Sequence, residues 1–269
     1  MTDLIAQFAA HMAAGGKART TIRDRTDLLR RVDTDLPMGL EAATVEELAA
    51  WLAREEWSTA TKRAYYWHIR GFFRWACDPN RPLLDWDPSA SLAKPSAPVG
   101  VPKPVTDDEL RTALTATGEP WDLLVMLAAY AGLRCCELAT IRREHITVEH
   151  ITIRGKGGKE RSVPTLPLVW ERVRDLPRGR LGPRDDAHWI SHTAIRRFER
   201  IGLVDVTMHR FRHWFGSMLL AGGADLLTVS KLLGHANTAT TAVYCLITDG
   251  QRRSAVATLP VLTATPASR

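Results

Sequence analysis

The stretch LLGHANTATTAVY, Leu232 to Tyr244, ends on one of only four tyrosines in the chain. A Gly-His pair precedes that tyrosine by a short, fixed distance, and the intervening residues are small and chemically quiet. Other reactive side chains lie upstream. MHRFRHWF supplies His209, Arg212 and His213, AGLRCCEL supplies Arg134 with Glu137 three residues on, and RGKGGKER supplies Lys156, with Lys159 and Arg161 as basic alternatives.

Each signal also has an ordinary structural reading. Arg134 and Glu137 are spaced for a helical salt bridge, and an arginine after an apolar helix needs either such a partner or a bound anion. Lys156 fits a solvated basic hairpin equally well. Its loop lacks the G-K-S/T of a Walker A nucleotide site. His209 and His213 have zinc spacing, but no glutamate lies between them and arginines flank them, so no metal is expected. His209 and Arg212 share a face near a helix start, a natural anion site. The alternative is a capping histidine beside a surface arginine. His235, after Gly234, could simply complement a helix C-terminus.

Taken together, two arginines, two histidines, a hairpin lysine and a late tyrosine match phosphoryl transfer without a metal or other cofactor. Arginines neutralise non-bridging oxygens as charge builds in the transition state. A tyrosine hydroxyl, with a pKa of about 10, needs a nearby base to attack and leaves well enough to make the step reversible.

The elements that must position these groups fall into two parts. LAKPSAPVGVPKPVTDDEL holds four prolines and a glycine and reads as a linker. The expected division is residues 1–92, a linker at 93–104, and 105–269. The first part reads as helices only, over 3–14, 19–32, 45–54 and 59–77, with a Thr44/Glu47 capping box opening the third. On the fourth, helical spacing places Tyr65, Ile69, Phe72, Phe73 and Ala76 on one face. Arg63, Trp67, Arg70 and Arg74 fall on the other. That second face is either an ordinary solvated side or a surface laid against phosphates. Arg19 and Arg23 in the arginine-rich second helix, together with Lys62, favour DNA.

The second part mixes helices with a hairpin. WDLLVMLAAYAGL reads as a buried helix ending at Gly132. HITVEHITIRGKGGKERSVPTL alternates as two or three antiparallel strands. Helices follow over 168–176, 194–201, 209–221 and 226–233, then a short segment carrying Tyr244. The fold class is mainly α with a small antiparallel β-sheet.

Bulk properties agree. The chain has 269 residues, a net charge of +6 and a pI near 9.4, which favour a polyanionic partner. No run of eighteen apolar residues is present, so no membrane span is expected, and the N-terminus is a poor signal peptide. Cys77, Cys135, Cys136 and Cys245 lack metal-ligand spacing and read as reduced cytosolic thiols.

In order and spacing, AGLRCCEL, GKGGKER, HRFRH, LLGH and TTAVY resemble the tyrosine recombinases, the phage integrase and Xer family. The first part resembles that family's helical core-binding domain in length and helix content. The resemblance implies a core-type DNA-binding domain followed by a catalytic domain. It also implies roles. Tyr244 attacks the scissile phosphate to give a 3′-phosphotyrosine, Arg134 and Arg212 hold the non-bridging oxygens, and Lys156 protonates the 5′ leaving oxygen. His209 assists proton transfer at the tyrosine, His235 hydrogen-bonds the phosphate, and Glu137 supports Arg134. The implied partners are double-stranded DNA attachment sites and, through a Holliday junction, a homotetramer, with a separate directionality factor. The tail beyond Tyr244, apolar at Val256, Leu259, Val261 and Leu262, docks on a neighbouring subunit or packs in cis, and the sequence leaves this open. The expected setting is a host bacterial cytoplasm, on the nucleoid. The expected form is a compact integrase of a phage or mobile element without an arm-binding domain. The alternatives are an Xer-type chromosome dimer resolvase, a type IB topoisomerase or telomere resolvase, and a non-catalytic DNA-binding relative.

Overall fold

The computed structural model of the protein describes residues 3–96, 103–155 and 160–234. The chain divides into two compact units, Met1–Val99 and Gly100–Arg269.

Unit 1 contains helices α1 (Leu4–Ala14), α2 (Arg19–Asp35), α3 (Val45–Ala53) and α4 (Thr59–Ala76), followed by a short 3-10 turn at Pro88–Ser91. Side chains set the helix starts. Asp3, Thr44 and Ser58 each accept a backbone N–H of the following turn, and Thr44 with Glu47 forms a reciprocal capping box. The core is aromatic. Ile69, Phe72 and Phe73 of α4 are fully buried, and Phe8 of α1 meets Phe72 edge-on at 5.7 Å. Tyr66, rather than the expected Tyr65, completes the buried stripe. Tyr65 is instead half-buried against Trp57 and Trp51. Packing with α1, α2 and α3 makes the covered face of α4 wider than one helical stripe.

Unit 2 is built on α6 (Trp121–Ala131), which is buried nearly all round and packs chiefly on α10 (Met208–Ala221) and α5 (Asp107–Ala116). A helix apolar on every side belongs in a core. Helix α6 stops at Gly132, whose backbone is left-handed (φ 65°) and therefore suits glycine. A Cβ there would meet Phe215 at 2.7 Å. The chain then forms α7 (Cys135–Thr140) and an antiparallel hairpin, β1 (His150–Arg154) and β2 (Glu160–Pro164). The hairpin register pairs Ile151 with Val163 and Ile153 with Arg161. Ile151, Ile153 and Val163 are buried. The possible third strand is reduced to one bridge, Ile146 to Ile151. Helices α8 (Pro167–Val173), α9 (Ala187–Arg200) and α11 (Leu226–Leu233) complete the described unit. Helix α9 begins seven residues earlier than its apolar pattern indicates, because Asp186 caps it at the Trp189 N–H. Helix α11 ends at Gly234, also left-handed (φ 64°).

Arg210 fastens the entry to this unit. Its guanidinium donates to the carbonyls of Lys103, Pro104 and Asp205 and pairs with Glu109 at 3.1 Å.

Candidate active site

Two left-handed glycines bring the ends of α6 and α11 together, and their carbonyls face a group of arginines. Glu137 lies at the centre, on the first turn of α7, with only 2% exposure. Its carboxylate accepts the Arg134 backbone N–H at 2.8 Å and Arg134 Nη1 at 3.1 Å. It also accepts Arg161 Nη1 and Nη2 at 2.5 and 2.9 Å, and Arg212 Nη1 lies 4.0 Å away. Burial pushes this carboxyl's pKa up, but the Arg161 and Arg134 bonds and charges outweigh burial and hold it below the ordinary glutamate range.

The guanidiniums also cap the helix ends. Arg134 Nη2 donates to the Gly234 carbonyl at 3.2 Å, and Arg161 Nε to the Leu232 carbonyl at 2.9 Å. Arg212 Nη2 donates to the Leu233 carbonyl at 2.6 Å, and Arg212 Nη1 bonds the Gly132 carbonyl. Helix C-terminal carbonyls carry partial negative charge, so they are fitting acceptors. One carboxylate thus serves three guanidiniums, leaving the cluster rich in positive charge.

His209 stands on the first turn of α10, three residues before Arg212, and its residue surface remains exposed. Surrounding protein desolvates its ring, and the Arg212 and Arg134 charges act in the same direction. All three hold the imidazole below its usual pKa. These effects favour the neutral ring, the form that can accept a proton. His213 packs against it, with ring centroids 4.3 Å apart.

The fold therefore gathers Arg134, Glu137, His209 and Arg212 from two distant segments. Of the two readings of Arg212, an anion ligand with His209 or a surface arginine, the surface arginine is excluded. Arg212 is fully buried and faces carbonyls. Lys156, His235 and Tyr244 lie outside the described residues. Arg161, read from sequence only as a basic substitute for Lys156, turns inward to Glu137. Strand alternation carried the signal, since Arg161 lies two residues from buried Val163 and so shares its face.

The basic residues of unit 1 have mixed placements. Arg19, Arg23 and Arg74 are exposed, Arg63 is half-buried, and Trp67 is 46% exposed with the Lys94 ammonium 5.3 Å from its ring. Lys62 donates to the Ala53 carbonyl. Arg70 stays on its expected face of α4, but that face is covered there. It pairs with Asp87 at 2.9 Å and Ser89 at 3.2 Å, because the Pro88–Ser91 turn folds over α4 and brings a carboxylate to it.

Comparison with known proteins identifies the family. Residues 104–250 match the phage integrase family. Tyrosine recombinase XerA of Pyrococcus horikoshii is 27% identical over 95% of this chain and 93% of its own length. That match extends through the helical unit 1. Tyrosine recombinase XerC of Rhodospirillum centenum is 34% identical over 76% of this chain and 68% of its own. Among solved structures, a lambda integrase tetramer bound to a Holliday junction superposes with a TM-score of 0.70 at 19% identity, covering 87% of this chain and 77% of that one. The chain belongs to the phage integrase family and is a tyrosine-type site-specific recombinase.

Proposed function

We propose that the protein breaks and rejoins DNA at attachment sites through a 3′-phosphotyrosine formed by Tyr244. The observation that carries this reading is the Glu137 cluster. Guanidiniums from three separate segments converge with an excess of positive charge, beside a histidine whose pKa is lowered by burial and by the Arg212 and Arg134 charges. In the proposed step, the Tyr244 hydroxyl attacks phosphorus and passes its proton to His209. The bond from phosphorus to the 5′ oxygen breaks, and Lys156 gives that oxygen a proton. Arg134, Arg212 and His235 stabilise the oxygens that gain charge. Because Arg134 and Arg212 donate to the Gly234 and Leu233 carbonyls, phosphate binding exchanges those carbonyls for phosphate oxygens. The ester keeps the energy of the broken bond, so rejoining needs no external energy source.

In this reading residues 1–92 form the core-type DNA-binding domain and residues 105–269 the catalytic domain. Four copies act on two double-stranded sites and pass through a Holliday junction. The tail beyond Tyr244 is assigned to contacts between subunits and a separate protein to the choice of direction. Both assignments rest on the family resemblance. The biological role we favour is integration and excision of a phage or mobile element in a bacterial cytoplasm. The chain spans 93% of the length of XerA, so length does not separate an integrase from an Xer-type resolvase, and that second reading stands beside the first.

The test uses labelled duplexes from DNA flanking the gene, nicked to trap the intermediate, without metal. Wild-type protein should give a protein-linked band on a denaturing gel, and Tyr244→Phe none. An equal band from Tyr244→Phe, or binding to the site without any band, defeats the catalytic reading. Recombination of paired flanking sites against resolution of a plasmid dimer separates the two biological roles.

A further inference from the structure

We propose that Arg161 is a positioning residue of the phosphate site, holding the acceptors that orient both Arg134 and Arg212. The inference rests on the reading of those two arginines as phosphate ligands.

Three observations carry it. First, Arg161 and Arg134 share one carboxylate. Arg161 takes both Glu137 oxygens at 2.5 and 2.9 Å, while Arg134 takes them through Nη1 and its backbone N–H. With two of its oxygens' directions fixed by a planar guanidinium, Glu137 has one orientation to offer Arg134. Second, Arg161 and Arg212 grip the same helix ends. Arg161 Nη2 reaches the Gly132 carbonyl at 3.4 Å and its Nε the Leu232 carbonyl at 2.9 Å. Arg212 takes the Gly132 and Leu233 carbonyls. Third, the space is cut to the arginine stem. A Cβ on Gly234 would lie 2.8 Å from Arg161 Cδ, so glycine there lets the α11 end close on it.

Arg161 differs from the residues it holds in what its fork faces. Both of its terminal nitrogens are committed to Glu137, whereas Arg134 gives that carboxylate one terminal nitrogen and Arg212 Nη1 lies 4.0 Å from it. Arg161 therefore acts through Arg134 and Arg212 and is not itself a phosphate ligand. A pure fold role would lower stability without regard to the charge of the substrate. A positioning role fails selectively when the phosphate carries charge that the arginines must neutralise.

The experiment compares two duplexes with the full-length protein. One has an ordinary phosphodiester at the scissile position. The other has a methylphosphonate there, in which a methyl group replaces one non-bridging oxygen and removes the negative charge. Formation of the Tyr244–DNA ester is timed for wild type, Arg161→Ala and Arg161→Lys, with a thermal melt of each. Misplacement of a charge-stabilising group predicts that Arg161→Ala slows phosphodiester cleavage about 10²-fold. On the neutral substrate the same variant should stay within about fivefold of wild type, because uncharged oxygen gains little from a well-aimed arginine. Arg161→Lys keeps a charge for Glu137 but loses the fork, and should recover part of the phosphodiester rate. If Arg161→Ala does not fold, the ratio of slowing on the two substrates is read from Arg161→Lys. Equal slowing on both substrates, or a phosphodiester loss below about threefold, overturns the proposal. Absence of any ester with wild type on either duplex strikes instead at the recombinase reading.

Discussion

Both units are rich in arginine, yet they use it in opposite ways. In unit 1 several guanidiniums lie on rings or in solvent, and Arg70 with its Asp87 pair is an exception. Arg31 sits 5.1 to 5.7 Å from the centroids of Tyr65, Trp57 and Trp51, and Arg54 covers two of the same rings while pairing with Asp35. These contacts are broad and tolerant of angle. In unit 2, Arg134, Arg161 and Arg212 are aimed by hydrogen bonds at helix-end carbonyls and a single buried carboxylate. The first arrangement is compatible with the DNA-binding role proposed for unit 1. The second suits one phosphate in one orientation. Directional acceptors, and not the number of arginines, distinguish a reactive site from a binding face.

The contrast breaks most visibly at Glu137. Glu137→Gln leaves three guanidiniums around a neutral amide, and removing one partner of a buried ion group costs about 3–5 kcal/mol. Chemical denaturation of the full-length protein should show a loss of that order in the transition of unit 2. The acid dependence gives a second check with a definite sign. A carboxyl held below its ordinary range contributes stability that is fully present above the unfolded pKa, about 4.3. That stability is lost as pH falls through the lower folded value. Wild type should lose it in that window and Glu137→Gln should lack this component. An unchanged transition in the variant would mean the carbonyls alone organise the arginines.

A smaller effect, on rate rather than stability, concerns His209. Its pKa lies below 6.5 because of desolvation and then of Arg212 and Arg134. As the proposed base it works in its neutral form, so ester formation should decline only as pH falls through that lowered value. The acid limb of the rate profile should have its midpoint below about 6.5. His209→Gln should cut the rate about 10²-fold and remove that limb. A midpoint at or above the ordinary histidine value, or an unchanged limb in His209→Gln, would take the proton-transfer role away from this residue.

What the sequence made legible follows from how local each signal is. Arg134 with Glu137, and the helix stops at Gly132 and Gly234, are written within four residues and were readable. So were α6, apolar on all sides, and the hairpin. Helix α7 was not, because six residues are too few to show a period. Arg161 was underrated because its partners are 24 and 71 residues away, and only its parity with Val163 hinted at an inward side chain. Arg70 misled for the same reason. A helical wheel places it correctly on α4 but cannot show that Asp87 folds back to meet it. Tyr66 displaced Tyr65 because three packing partners widen the buried face of α4.

Arg70 and Arg74 give the finest test of the comparison, since both were expected to face DNA and they differ in position by one helical turn. Arg74 is exposed. Arg74→Ala should leave the melting temperature unchanged and, if the residue meets a phosphate, lower the slope of log K against log salt by about 1. Arg70 holds Asp87 and Ser89 with a quarter of its side chain exposed. Arg70→Ala should destabilise unit 1 by about 1 kcal/mol, a figure already discounted for solvent around the pair. Its salt slope should stay at the wild-type value, because the guanidinium is spent on the Pro88–Ser91 turn. Binding isotherms over a salt series, beside melts of both variants, decide the matter. If Arg70→Ala lowers the slope as much as Arg74→Ala, the Asp87 pair opens on DNA, and the tolerant arginine surface of unit 1 extends one turn further along α4.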